Sequence, residues 1–416
     1  MAEKSTRKKK VRKALARNSS SRKVPAGKSK QVSGAKGKKK ANSSRKASRS
    51  RPLVLVTGAG GFVGKHVVEQ ALENGFAVRA TDLPGSDLSW AKDLGAEIAL
   101  GDLTNREQVK KLVKGVDRVA HIAAAFNLSL ARNELLRINL NGSVNLAEEA
   151  ASAGVELFVN CSTADTYGVS IQVPTREDAA QNPANDYAFS KLLAEQAVIR
   201  VGRRMSMPVS TIRPTVIYGP GAIYTASLFC TIPYILQKRF GFFPRLYGGP
   251  LVNAVHVEDV AGSIVFLLGK KNAAGGEKSV YNVADDDWQT MGEYFHNLAN
   301  PIGVRFSPFE VPVVTTGLVL LTKALERVPV KFFDIATTVL RSEWDRIRTE
   351  NSLAGALNPR FDKGFLSYGL GDHAYDNTRL KSIGYKFKHP RFAKGYSETI
   401  KWYKDHRWIP ESAFSV

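Results

Sequence analysis

Short apolar runs alternate with helix-like segments from residue 52 to about residue 220. The apolar runs predict buried strands at Leu53–Val56, Ala77–Thr81, Glu97–Leu100, Arg118–Ile122, Leu157–Cys161 and Val209–Ile212. The segments between them have helical periodicity, for instance Gln108–Val113, Leu135–Ala153 and Tyr187–Arg204. Such alternation indicates a doubly wound α/β fold, in which helices cover both faces of a parallel sheet. Ligands bind such sheets at the carboxyl ends of the strands.

The second half of the chain departs from this alternation. Gly219, Pro220 and Gly221 interrupt the pattern, and the segments 220–255 and 285–390 mix aromatic residues with prolines. We therefore expect an α/β domain over residues 52–284. An insert at about 220–255 would join residues 285–416 in a smaller substrate-binding lobe.

Positive charge is concentrated in the first 51 residues of this 416-residue chain. These residues hold 20 Lys and Arg against one acid, Glu3, whereas the rest of the chain holds 40 basic and 37 acidic groups. The net charge of +22 therefore belongs mostly to a tail. Because the tail has almost no large apolar residues, burial cannot offset the entropy lost on ordering, and we predict that residues 1–51 are disordered.

Three interpretations of the tail remain open. It could bind a nonspecific anionic partner, either nucleic acid or an anionic membrane surface. It could be a targeting segment, or a solvated extension without a dedicated partner. The tail contains no aromatic residue for base stacking. Nucleic-acid binding there would therefore be nonspecific and strongly salt-dependent.

Cysteine content and hydropathy limit the compartment. Cys161 and Cys230 are the only cysteines, which excludes a disulfide framework and indicates a reducing compartment. They lack metal-ligand spacing, and we predict no metal site. The longest apolar run, Val311–Leu321, is too short to span a bilayer. We expect a cytoplasmic protein without a transmembrane segment.

The most informative motif is PLVLVTGAGGFVG at Pro52–Gly64, a strand followed by a glycine-rich turn and a helix start. The first glycine suits a tight turn, the second the approach of a pyrophosphate, and the third close packing of helix on strand. The N–H groups of the helix start then face the anion. This pattern predicts a dinucleotide site that includes Gly58, Gly61, Phe62, Val63 and Gly64.

Polar and small residues at the next strand ends extend this prediction. Asp82 ends the second strand, where a carboxylate accepts hydrogen bonds from the ribose hydroxyls and repels a 2′-phosphate, so NAD is favoured over NADP. The alternative for Asp82 is a turn aspartate before Pro84. Asp102, followed by Leu103, is expected to hold the adenine amino group or to cap a helix. Ala123 and Ala124 would let the backbone approach the cofactor, and the preceding histidine, His121, is expected to be structural.

The sequence YAFSK places Tyr187 and Lys191 four residues apart, on one face of a helix. A phenol with a pKa near ~10 is a poor base at neutral pH, but a neighbouring ammonium stabilises the phenolate. Thr163 ends a strand about 25 residues earlier and supplies a hydroxyl that could orient the reacting oxygen. These three residues are the predicted catalytic groups.

Together these motifs resemble the extended short-chain dehydrogenase/reductase superfamily over residues 52–405. TGAGGFVG, STADTYG, YAFSK, RPTVIYGPG and HVEDV carry the resemblance. It implies a Rossmann sheet with a smaller C-terminal lobe, bound NAD, and catalysis by Thr163, Tyr187 and Lys191. It also implies that Lys191 contacts the nicotinamide ribose, that Pro214 lies near the nicotinamide, and that a homodimer can form.

Two branches of the superfamily compete. Nucleotide-sugar epimerases and dehydratases carry diphosphate-binding arginines where this chain has Val252-Asn253 and Gly369-Leu370-Gly371-Asp372. Dehydratases also carry an acid pair after the threonine, whereas here Ala164 replaces the first acid and Asp165 remains. The other branch contains 3β-hydroxysteroid and sterol-4α-carboxylate 3-dehydrogenases, which LVNAVHVEDVAGSIVFLL resembles more closely.

The apolar segment that follows fits this second branch. Its residues could wall an apolar pocket, lie on lipid or belong to an ordinary core helix; they are Val311, Val313, Val314, Leu318, Leu320, Leu321 and Leu325. We expect an NAD(P)-dependent oxidoreductase acting on an apolar, steroid- or lipid-like alcohol or ketone. A nucleotide-sugar epimerase or dehydratase is the second expectation. A non-catalytic cofactor sensor that docks through its tail is the third.

Overall fold

The computed structural model describes residues 51–413 except 127, 129 and 271–278. The disorder and the partners predicted for the basic tail therefore lie outside the described residues.

The strands, in chain order, are β1 (Leu53–Thr57), β2 (Ala77–Thr81), β3 (Glu97–Ile98), β4 (Arg118–His121), β5 (Leu157–Cys161), β6 (Val209–Pro214), β7 (Val216–Tyr218), β8 (Phe243–Tyr247), β9 (Leu251–Val252), β10 (Ala254–His256), β11 (Val280–Val283), β12 (Gln289–Thr290) and β13 (Phe306–Pro312). Seven of them form one parallel sheet in the order β11-β6-β5-β4-β1-β2-β3. In this register Val56 pairs with Ala80 on one side and with Ala120 on the other.

The α-helices are α1 (Phe62–Glu73), α2 (Ser89–Asp93), α3 (Arg106–Leu112), α4 (Arg132–Leu135), α5 (Gly142–Ser152), α6 (Asp186–Met205), α7 (Tyr224–Phe229), α8 (Thr231–Phe240), α9 (Val257–Gly269), α10 (Met291–Ala299), α11 (Thr315–Leu325), α12 (Val330–Glu350), α13 (Thr378–Ser382) and α14 (Phe392–Asp405). A π-helical segment, Leu136–Asn141, joins α4 to α5. Short 3₁₀ helices span Ala164–Tyr167, Asn300–Ile302 and Lys363–Gly369. No helix of the described chain is long and apolar enough to cross a membrane.

Both faces of the sheet are covered, as the alternating pattern predicted. Val67 of α1 and Ile264 of α9 are fully buried in one hydrophobic cluster, and Val109 of α3 and Leu146 of α5 are fully buried in a second cluster. All five residues of β1 are buried, which places this strand at the centre of the core. The predicted doubly wound Rossmann sheet is confirmed.

Two predicted elements differ from the observed ones. The edge strand β3 is two residues long and not four, and its Glu97 pairs with Arg79 on β2 at 2.9 Å. A short, charged edge limits pairing with other chains. The helix predicted over Leu135–Ala153 contains the π-helical segment, in which the side chain of Asn139 bonds to the backbone of Ala125. Such π-turns are frequent at functional sites.

A separate hydrophobic cluster is built from the second half of the chain. Its largest fully buried members are Trp344, Tyr234, Tyr403 and Phe392. The Tyr403 hydroxyl donates to the Gly219 carbonyl at 2.8 Å, and this bond joins α14 to the turn after β7. The strand pairs β8–β13 and β9–β12 lie in this part of the chain. The domain boundary proposed at residue 284 remains a prediction.

The glycine turn between β1 and α1 requires residues without a Cβ atom. Gly58 has φ +68°, and a Cβ added there would lie 2.9 Å from the Cα of Ala123. A Cβ added at Gly64 would lie 1.9 Å from the carbonyl oxygen of Gly58. The start of α1 therefore packs directly on the turn.

We expect Gly64→Ala to lower the free energy of unfolding by more than about 2 kcal/mol, because the new methyl group overlaps backbone that cannot move aside cheaply. Urea denaturation followed by circular dichroism measures this change. Gly269→Ala is the matched control, since nothing lies within 4 Å of a Cβ at that position. Equal stability of the two variants would contradict the packing argument.

Candidate active site

A cavity of about 1560 Å³ opens at the carboxyl ends of the sheet strands. It is lined by all the residues that the sequence assigned to the cofactor and to catalysis. They are Gly58, Gly61, Phe62, Val63, Gly64, Asp82, Asp102, Leu103, Ala123, Ala124, Thr163, Tyr187, Lys191 and Pro214. The fold thus brings the predicted site residues together around one space, although their individual roles remain predictions.

The N-terminus of α1 is suited to hold a phosphate. Gly61 is the N-cap residue, and no side chain accepts a hydrogen bond from the first turn. Phe62 and Val63, which follow it, line the cavity. Free N–H groups and the positive end of a helix dipole favour an anion at this place.

Asp82 follows β2 and lies next to the glycine turn. Its carboxylate accepts hydrogen bonds from the N–H of Gly60 at 2.8 Å and of Leu83 at 2.7 Å. These bonds fix the carboxylate at the cavity edge, and it retains lone pairs for two ribose hydroxyls.

Arg79 cannot bind a 2′-phosphate from its position. It is buried, pairs with Glu97, and donates to the backbone carbonyls of Leu112 and Lys114. This arrangement fits NAD.

The alternative role of Asp102 as a helix N-cap is wrong. Asn105 caps α3, and its side chain accepts from the N–H of Gln108 at 3.2 Å. The Asp102 carboxylate instead accepts from the N–H of Thr104 at 2.8 Å. This turn holds Asp102 at the cavity wall.

His121 lies beneath the cavity in a chain of hydrogen bonds. The Thr57 hydroxyl accepts from the N–H of Ile122 and Ala123, so it donates to Nδ1 of His121 at 2.8 Å. Nε2 of the imidazole then donates to the Ser143 hydroxyl at 2.8 Å. Burial lowers the pKa of His121 to about 3, which keeps the ring neutral. The chain fixes the backbone that follows β4.

Tyr187 and Lys191 lie on the first turns of α6, which Asn185 caps by accepting from the N–H of Ala188 at 2.8 Å. Lys191 Nζ donates to the carbonyl oxygen of Cys161 at 2.7 Å, which ties the helix to the end of β5. The Tyr187 ring packs edge-on against Phe126, with 4.8 Å between the ring centroids.

The expected lowering of the Tyr187 pKa by Lys191 is not found. Burial raises the pKa of Tyr187 well above its ordinary value, and the charge of Asp165 raises it further. Burial also lowers the pKa of Lys191, whose ammonium is directed to the Cys161 carbonyl. Tyr187 is therefore a neutral phenol at neutral pH, a form that can donate a proton.

Asn139 is a site residue that the sequence reasoning missed. Its side chain accepts from the N–H of Ala125 at 2.7 Å and donates to the Ser190 hydroxyl at 2.9 Å. Ser190 in turn donates to the backbone carbonyl of Tyr187 at 2.7 Å. Asn139 therefore couples the first turn of α6 to the loop after β4. In the sequence, Asn139 could be identified only as a polar residue within the apolar run of a predicted helix.

Ser162 and Thr163 end β5 at the cavity wall. The Thr163 hydroxyl accepts from the N–H of Asp165 at 3.2 Å, so its own proton remains free to donate. The Ser162 hydroxyl is buried and has no hydrogen-bond partner among the described residues. Two hydroxyl donors thus stand near Tyr187 where a reacting oxygen would lie.

A large part of the cavity wall is apolar. It contains Leu228, Phe229, Ile232, Met291, Phe295, Leu318, Leu321, Leu325, Phe361, Phe365, Trp402 and Trp408. No arginine lines the described cavity, and Val252 and Gly369 stand where diphosphate-binding residues were expected. Burial lowers the pKa of His373 to about 4, so this lining imidazole is neutral. A diphosphate requires fixed cations, and none of these residues supplies one.

Helix α11 forms part of that wall. Thr322 is its one buried residue, whereas Leu320 is 63% and Leu321 56% exposed. The interpretation of this segment as an ordinary core helix is therefore wrong. Leu318, Leu321, Thr322 and Leu325 of this helix line the cavity, whereas Leu320, which does not line it, is exposed.

A model of the NAD dependent epimerase/dehydratase family matches residues 54–284. The chain belongs to this family. Its members are NAD-dependent enzymes, which confirms the superfamily, the enzyme class and the NAD cofactor predicted from the motifs.

Relatives within the family act on different substrate classes. A ceramide reductase of Caulobacter vibrioides is 26% identical over 371 residues, which cover 88% of this chain and 99% of the relative. A sterol demethylase protein B of Methylococcus capsulatus is 30% identical over 304 residues, which cover 72% and 88%. The crystal structure of a UDP-glucose 4-epimerase from Thermotoga maritima with UDP-glucose has a TM-score of 0.61 at 20% identity, covering 85% of this chain and 99% of that one. The last likeness shows the fold alone.

The position of Asp165 makes stability pH-dependent. Burial raises its pKa to about 6, above that of an unfolded carboxyl, so its contribution to stability is full below about pH 4 and is lost as the pH rises through 6. We expect Asp165→Asn to raise the free energy of unfolding at pH 8 by about 1–3 kcal/mol, and the gain to vanish near pH 4.

Urea denaturation at a series of pH values measures the effect. Asp178→Asn, at an exposed position, is the matched control. A difference between Asp165→Asn and the parent that does not change with pH would contradict the assignment.

Proposed function

We propose that this protein is an NAD-dependent oxidoreductase that interconverts a secondary alcohol and a ketone on an apolar, lipid- or steroid-like substrate. The observation that carries the proposal is the cavity lined by Tyr187, whose wall includes many aliphatic and aromatic side chains and, among the described residues, no arginine. Such a wall contributes to binding free energy by burying apolar surface of the substrate, at roughly 25 cal/mol per Å². The ceramide reductase and the sterol demethylase protein B among the relatives support this substrate class.

The cofactor would lie across the glycine turn. The pyrophosphate belongs at Phe62 and Val63 on the N-terminus of α1, and the adenosine ribose at Asp82. Asp102 and Leu103 would flank the adenine, and the short side chains of Ala123 and Ala124 leave room for the backbone to approach. Pro214 and Lys191 border the nicotinamide end of the same cavity.

Tyr187 would transfer the proton between the protein and the substrate oxygen. When bound, NAD supplies or accepts a hydride at its nicotinamide ring. For ketone reduction the neutral phenol of Tyr187 donates its proton to the carbonyl oxygen as the carbon receives hydride, and Thr163 donates a hydrogen bond to the same oxygen. The raised pKa of Tyr187 suits this direction, because the proton is in place at neutral pH. The Lys191 amino group, held by the Cys161 carbonyl, would lie beside the reacting groups.

A reducing, cytoplasmic location is part of the same proposal. Cys161 and Cys230 are both buried free thiols. The anionic partner of residues 1–51 and the homodimer remain predictions.

We expect Tyr187→Phe to lower kcat by about 10²–10⁴-fold, because the proton donor is lost while the ring still packs on Phe126. NADH oxidation measures kcat, and quenching of protein fluorescence measures NAD binding, which should be unchanged. Tyr247→Phe, which removes a hydroxyl from a 48% exposed tyrosine, is the matched control. Undiminished turnover by Tyr187→Phe would rule out this mechanism.

A nucleotide-sugar epimerase or dehydratase is the second candidate. Asp165 favours it, because this acid follows Thr163 at the second of the two positions that dehydratases fill with acids. In an epimerase hydride returns to the same substrate, so no net NADH appears.

Thermal unfolding in the presence of ligands separates the two candidates. A true ligand at about 100 times its Kd adds about 2.7 kcal/mol to the folded state. We expect long-chain ketones to raise the Tm in the presence of NADH and UDP-sugars to leave it unchanged. Stabilisation by a UDP-sugar alone would favour the epimerase.

A further inference from the structure

Asp165 contributes a carboxyl group to the same cavity wall that carries the proposed catalytic residues. Asp165 lies on the 3₁₀ helix that follows β5, two residues after Thr163, and it lines the cavity together with Tyr187. Its backbone N–H donates to the Thr163 hydroxyl at 3.2 Å. The carboxyl is therefore fixed beside the proposed site of reaction.

The partners of this carboxyl leave one oxygen available. The Tyr368 hydroxyl donates to Oδ2 at 2.8 Å. Tyr368 belongs to the 3₁₀ helix Lys363–Gly369, 203 residues away in sequence. Among the described residues no cation forms an ion pair with Asp165, and no donor reaches Oδ1. Tyr368 thus orients the carboxyl without neutralising it.

A carboxylate in these surroundings discriminates between ligands. A ligand that covers it without offering a donor removes its remaining water and leaves a charge unpaired, which is costly. A ligand with a hydroxyl or amide N–H replaces that water with a charge-assisted hydrogen bond. Sites that hydrogen-bond a substrate donor in this way reject analogues lacking the donor far more strongly than apolar pockets reject a missing methylene.

The same donor would favour the chemistry at Tyr187. The negative charge of Asp165 opposes formation of a phenolate on Tyr187. A hydrogen bond from the substrate to Oδ1 disperses that charge. Substrates with the donor therefore gain in both binding and proton transfer.

From this arrangement we infer that Asp165 is a specificity-determining residue that accepts a hydrogen bond from a hydroxyl or amide N–H carried by the substrate next to its reacting carbon. Tyr368 is the positioning residue that directs the carboxyl. The inference rests on the proposed oxidoreductase function and narrows its substrate class to apolar ketones with a neighbouring donor, such as 2-hydroxy or 2-acylamino ketones.

Matched ketones test the inference with the full-length protein and NADH. One pair is a long-chain 2-acylamino ketone and its N-methylated form, and the other is the 2-hydroxy ketone and its methyl ether. We expect kcat/KM to be at least about tenfold higher for the donor-bearing member of at least one pair. The pair that shows the preference identifies whether the donor is an amide or a hydroxyl.

Asp165→Leu and Tyr368→Phe identify the source of the preference. Asp165→Leu should lose kcat/KM for the donor-bearing ketone and keep or gain it for the methylated one. Tyr368→Phe should weaken the preference mainly through KM. Equal kcat/KM of the parent protein for both members of both pairs, or an equal loss for both members in Asp165→Leu, would overturn the inference.

A binding measurement distinguishes failure of the inference from failure of the proposed function. The shift in Tm caused by each ketone is measured beside turnover. A donor-dependent shift in Tm without turnover would support Asp165 as the acceptor of the ligand's hydrogen bond and would overturn the oxidoreductase activity. Turnover without donor dependence would support the oxidoreductase activity and overturn the inference. The absence of both a shift and turnover would overturn both. Unchanged NADH binding in each variant shows that the fold is intact.

Discussion

The contact between the start of α1 and the glycine turn is the constraint on which the site depends. Because Gly64 has no Cβ, the helix begins directly against the carbonyl of Gly58. Gly58 in turn lies against the backbone of Ala123, at the end of the neighbouring strand β4. The two contacts fix the gap between β1 and β4 and aim the helix N–H groups into it. The cavity and the proposed phosphate position both lie at this packed turn.

The pKa values of the ionisable side chains around Tyr187 are set by burial more than by ion pairing. Lys191 donates a hydrogen bond to the Cys161 carbonyl. Asp165 accepts a hydrogen bond from the Tyr368 hydroxyl and forms no ion pair among the described residues. The result is a neutral phenol at Tyr187 in a cavity that is also lined by the Asp165 carboxyl group. Such a site suits a substrate that supplies its own hydrogen-bond donor and buries apolar surface.

Much of the fold, and many of the residues that line the cavity near the glycine turn, could be predicted because their signals are local. The glycine spacing, the acid after β2 and the spacing of Tyr187 and Lys191 each lie within a few residues, and backbone geometry converts such spacing directly into position. The predictions that were wrong needed information from elsewhere in the chain. Burial raises the pKa of Tyr187 and the charge of Asp165 raises it further, and the π-helical segment contains Asn139, whose side chain bonds to the distant Ala125.

Local sequence patterns encode the strands and helices of the α/β sheet, the glycine turn and the residues predicted to line the cavity beside it, since each lies in a short stretch whose geometry is fixed by the backbone. Tertiary structure alone decided the character of the substrate end. Its wall draws on segments near residues 228–232, 318–325, 361–366 and 402–408, and its polar contact joins Asp165 to Tyr368. Contacts between segments so far apart depend on how the whole chain packs, and no local pattern records them.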